Sequence, residues 1–110
     1  MNNAAIALLE RARSLIADEG DWSPHGPGTA RRFQDEGTRC ALIALQHAWH
    51  IRDNPLGAYQ QARDAIYDAI GLRWDGVITL ALGRWNDTPG RTHAEVLAAF
   101  DKAKEALANG

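Results

Sequence analysis

The segment 39–52 constrains the fold most. Read as a helix capped by Thr38, it gathers Cys40, Ala41, Ala44, Leu45, Ala48, Trp49 and Ile51 over more than half its circumference. Leu42 widens that arc. Ile43 shares the remaining side with Gln46, His47 and His50. A helix this apolar must be covered by neighbours, so it is expected at the centre of its domain. With 110 residues, the chain has length for one domain and one core.

The neighbours are helical too. In 4–19, with Asn3 as cap, Ala5, Leu8, Leu9, Ala12, Leu15 and Ile16 share a face, and Gly20 is placed to end the helix. Asn54-Pro55 reads as the start of a third helix, and Gly71 as its left-handed stop. Ala58, Tyr59, Ala62, Ala65, Ile66, Ala69 and Ile70 line its apolar face. The run 77–82 is β-branched, but no second strand exists to pair with it, so a short helix capped by Asp75 is expected. Thr92-His-Ala-Glu95 is a capping box, starting a helix to about residue 108 with Val96, Leu97, Ala99, Phe100, Ala103 and Leu107 inward. The expectation is an all-α, compact single-domain bundle of about five helices over residues 1–110. A long Gly/Pro-containing loop interrupts it at 21–37, anchored by Trp22 and Phe33.

Composition excludes several functions. Twelve basic residues oppose fourteen acidic ones, for a formal net charge of -2. That argues against nucleic acid as a partner, although Arg31, Arg32, Arg39, Arg52 and Arg73 lie near tryptophans. One cysteine rules out an internal disulfide. No apolar run reaches membrane-spanning length, and no signal sequence is visible, so a cytoplasmic setting is expected. No cofactor fingerprint is present, and none is expected to be bound.

Three sets of residues could carry chemistry. Cys40, expected in the first turn of its helix, could be a thiolate nucleophile with His93 as base and Asp87 as orienting group. That trio would make a thiol-dependent hydrolase or acyltransferase. The competing reading is a buried, inert cysteine. His47 and His50, three apart on one helix, are weak metal-ligand candidates without a zinc motif around them. The stretch 83–92 combines Trp85, Asn86, Asp87 and Arg91 with a Pro89-Gly90 turn. It reads either as an ordered connection docking the last helix or, with Trp22 and the 21–37 loop, as a polar recognition surface.

Two segments, Arg39-Cys-Ala-Leu-Ile-Ala-Leu45 and Arg84-Trp-Asn-Asp-Thr-Pro-Gly-Arg-Thr-His-Ala-Glu-Val-Leu97, resemble a family of small bacterial and phage proteins known only as a domain of unknown function. In that pattern a Gly-x-Trp turn, here Gly20-Asp21-Trp22, precedes the cysteine helix. Ile43 departs from it, standing where glycine is usual. The resemblance implies no activity or cofactor. It points to a phage or mobile-element origin, and so to a non-enzymatic module that binds a host protein or pairs with its own copy.

Overall fold

In the computed structural model, which describes residues 3–50, 54–55, 57–72 and 81–109, helical spacing becomes helices where it is strongest. Among these residues there are five: α1 (Asn3–Leu15), α2 (Ala41–Trp49), α3 (Ala58–Ala69), α4 (Ala81–Asn86) and α5 (His93–Asn109). A single 3-10 turn, Glu19–Asp21, follows α1. There is no β-strand among the described residues, and the domain is all-α.

Ala5, Leu8, Leu9, Ala12 and Ile16 are fully buried, as the spacing of α1 requires. α1 packs against α2, α3 and α5, while α3 and α5 pack on each other and α4 rests on α2. α2 is buried along most of its length, as expected. The helix with three strongly packed neighbours is nevertheless α1, so the centre is shared between the two. Tyr67 on α3 and Phe100 on α5 are the largest side chains buried in the same core. No helix among the described residues is long and apolar enough to cross a membrane.

Helix ends follow local chemistry. In the capping box, Glu95 N–H donates to Thr92 Oγ1 at 3.1 Å and Thr92 N–H donates to Glu95 Oε1 at 2.8 Å. α3 closes on Gly71 (φ 77°), with Leu72 N–H donating to the Tyr67 carbonyl and Gly71 N–H to that of Asp68. Gly90 (φ 86°) and Pro89 make the turn in which Arg91 N–H donates to the Thr88 carbonyl.

Other boundaries differ from the sequence reading. α1 ends at Leu15, before the expected Gly20. α3 starts at Ala58 behind left-handed Gly57 rather than at Asn54-Pro55, because the Asn54 side chain is taken up by Arg11 and the Trp49 carbonyl. α2 starts at Ala41 with Cys40 as its cap, not with Thr38, whose hydroxyl and carbonyl serve Thr29 instead. Gly83, Arg84, Trp85 and Asn86, expected in a connection, belong to α4. The helix expected over 77–82 falls largely on 73–80, outside the described residues. Trp49 is 41% exposed although the wheel placed it inward.

Candidate functional site

The loop between the 3-10 turn and α2 is ordered around two buried polar side chains. Asn86, at the end of α4, is fully buried. Its Oδ1 accepts from Trp22 Nε1 at 2.7 Å and from the Ala41 amide at 3.0 Å. Its Nδ2 donates to the Ser23 carbonyl at 2.8 Å and to Asp87 Oδ1 at 3.0 Å. Two acceptor sites and two donors are all a carboxamide has, so its capacity is fully used. One side chain thereby joins the start of the loop, the first amide of α2 and the end of α4. Asp87 Oδ1 also accepts from the Gly26 amide at 3.1 Å, which fixes the loop beside the α4–α5 turn.

Arg39 does the same for the far half of the loop. It is 3% exposed. Its Nη2 donates to the carbonyls of Arg32, Phe33 and Asp35 at 2.9, 3.1 and 2.7 Å. Its Nε donates to His47 Nδ1 at 2.9 Å. Burial makes the guanidinium a somewhat weaker base, while Asp35 and Asp21 favour its charge. The backbone completes the fastening. Arg39 N–H donates to the Asp21 carbonyl and Ser23 N–H to that of Arg39, giving a single parallel bridge between Trp22 and Arg39. Thr29 N–H and Ala30 N–H share the Thr38 carbonyl, and Cys40 N–H donates to that of Pro27. Gly28 (φ 92°) crosses Thr38 so closely that a Cβ there would lie 2.2 Å from its carbonyl oxygen.

The sequence model of a family described only as a family of unknown function, DUF6197, matches residues 1–106. The chain belongs to DUF6197. The DUF6197 match takes in the loop, its two fastening side chains and nearly all of α5, and it bears out the resemblance at the level of the family. No curated protein and no solved structure matches the chain.

In this DUF6197 protein Cys40 and Asp87, two residues of the expected thiol site, lie close together. Cys40 is 4% exposed, and burial pushes its thiol above the ordinary value. Amide hydrogen bonds from Ile43 and Leu42 pull it back, and the Asp87 carboxylate raises it again. Cys40 and Asp87 do line one shallow apolar groove of about 340 Å³ with Pro27, Ile43 and Arg84. His93 does not line that groove; its Nε2 is 2.7 Å from the Ile16 carbonyl and its ring lies against Trp22. The two histidines of the pair differ in their surroundings. His47 is buried on Arg39, whereas His50 is exposed and lies against Trp49. Among the described residues no three His, Cys, Asp or Glu groups are placed to hold a metal.

The recognition surface divides into inner and outer members. Trp22 and Asn86 are spent inside the fold. Trp85, Asp87 and Arg91 are partly exposed. The Arg91 guanidinium stacks 4.1 Å from the centre of the Trp85 ring, while its Nε donates to the Trp85 carbonyl. Of the basic residues considered for nucleic acid, Arg39 is buried, Arg31 and Arg32 are exposed, and Arg52 and Arg73 lie outside the described residues. From the sequence, Arg39 is only one of several basic residues weighed for nucleic acid. One signal for the Asn86 role was available: a tryptophan anchoring a loop needs an acceptor for its ring N–H.

Proposed function

We propose that the protein is a non-enzymatic protein-binding module, and that its contact surface is the outer side of the 22–37 loop together with the neighbouring Asp87–Arg91 turn. The supporting observation is the Asp87 and Asn86 network, which sets two exposed loops side by side in one shape. Buried polar groups are costly unless fully bonded. Here they are bonded to loop backbone, so their effect is to fix a surface. A surface fixed in advance loses less conformational freedom on binding. Exposed Pro24, His25, Arg31, Arg32 and Gln34 would face the partner.

The resemblance to small bacterial and phage proteins suits an accessory protein of phage or mobile-element origin acting on a host factor in the cytoplasm. The enzymatic alternative through Cys40, His93 and Asp87 has less behind it, since the thiol is buried and its base is committed to Ile16.

The test is a double variant, Arg31→Glu with Gln34→Arg, which leaves every fastening contact intact. A binding partner recovered by crosslinking from host lysate and then purified should bind the variant at least about tenfold more weakly, at unchanged melting temperature. Equal affinity for variant and parent would remove this surface from consideration. Sedimentation velocity identifies the case in which the partner is a second copy.

A further inference from the structure

We propose that Arg39 and His47 form an acid-released latch, in which protonation of His47 ejects the Arg39 guanidinium and frees the 31–37 half of the loop. The proposal concerns regulation of the surface described above, but the latch stands or falls independently of any partner.

The geometry carries it. His47 Nδ1 accepts a hydrogen bond from Arg39 Nε, so the ring must be neutral with its proton on Nε2. A protonated ring would carry N–H at both nitrogens. It would then oppose a donor with a donor and a cation with a cation, across 2.9 Å, in a site where both side chains are largely removed from water. Arg39 Nη2 holds three consecutive-turn carbonyls, those of Arg32, Phe33 and Asp35, so displacing the guanidinium leaves the segment without its central donor. What remains local to that segment is the Asp35 carboxylate bonded to the Arg31 and Arg32 amides and the Arg32 side chain, and the turn bond from Asp35 N–H to the Arg32 carbonyl. The other half of the loop hangs on Asn86 and Asp87, which do not touch the latch.

The groups around His47 bias it in the required direction. Burial, then Arg39, then His50 on the same helix disfavour the imidazolium; Asp35 and the Arg31 backbone favour it more weakly. These neighbours come from the loop and from the C-cap of α2. The net shift is downward from the ordinary 6.5. The released state, with His47 in water, takes up its proton near the ordinary value. Release is therefore favoured as pH falls below about 6.5, by up to about tenfold per pH unit until the latched form itself titrates.

The experiment follows the Arg39 Nε–H resonance, the His47 ring nitrogens and amide protection factors by NMR between pH 7.5 and 4.5. The expected result is loss of the Arg39 Nε–H signal together with a fall in protection at Asp35, by about tenfold per pH unit, at the same midpoint as His47 titration. Amides of α1 and α5 should lose far less protection over the same range. His47→Asn, whose Oδ1 can accept from Arg39 without titrating, should hold the loop closed over the same range. If that variant does not fold, coincidence of the midpoints in the parent protein decides. Loop protection unchanged through His47 titration would overturn the latch, as would a transition retained in His47→Asn or one that spreads at once over all helices.

Discussion

Asn86 and Arg39 illustrate how a polar residue becomes structural. Each is buried and bonds backbone groups: Asn86 those of Ser23 and Ala41, far apart in sequence, and Arg39 those of the 32–35 turn. Removing the carboxamide strands the Trp22 ring N–H and the Ala41 amide, both without water access. Asn86→Ala should therefore destabilise the fold by about 2–4 kcal/mol, measured as a shift in the denaturant midpoint at unchanged slope. Helical periodicity registers only apolar spacing, so it marks residues such as these as surface. That is why the sequence reading sets Asn86 and Trp22 at a binding face and Arg39 among basic residues weighed for nucleic acid. The cysteine itself was legible as a buried residue on an apolar arc. Its thiol, raised by burial, should react with iodoacetamide far more slowly than a free thiol at pH 8 and at the ordinary rate once the protein is denatured. Fast native alkylation with a midpoint below pH 8 would restore the catalytic reading.

Among the elements, caps with both partners close in sequence were readable. Thr92 and Glu95 are three apart, and Gly71 follows the last turn of α3 directly. The starts of α2 and α3 differ because the residues that resemble caps, Thr38 and Asn54, have partners outside the helix turn they would cap: Thr29 in the same loop and Arg11 on α1. A long-range partner outcompetes a local one, and spacing cannot show it. The loop has its own signature in its glycines. Gly28 and Gly26 both have positive φ, yet a Cβ at Gly28 would meet the Thr38 carbonyl, whereas Gly26 faces open space. Gly28→Ala should cost well over the roughly 1 kcal/mol of backbone strain expected for Gly26→Ala. Thermal melts of the two variants would separate these effects, and equal losses would mean that the loop does not cross itself so tightly.

At the scale of the whole molecule, the domain joins a helical core on α1 and α2 to a non-helical cover held by polar contacts. The all-α class and the buried faces were legible because 3.6-residue spacing is strong in α1 and α5. The shape of the cover was not, because it depends on contacts as far apart as Trp22 and Asn86. The pH dependence follows from the same contacts. His47 is depressed in the folded state, so its contribution is present above the unfolded value and lost as pH falls through the folded one. For Asp35, desolvation acts upward, but the Arg31 amide, the Arg32 charge and the bonds from Arg32 together outweigh it and lower the group; Glu95 is lowered first by its bond from Thr92. Both act in the same sense at lower pH, below the ordinary carboxylate range. Melting temperature should therefore decline in two stages on acidification, first below about pH 6.5 and again below about pH 4. The most direct measurement is hydrogen exchange at neutral pH on the amides of Ser23, Ala30 and Cys40. Protection close to that of the α1 and α5 amides is the predicted result; free exchange of the loop over protected helices would contradict the claim that buried side chains hold it in one shape.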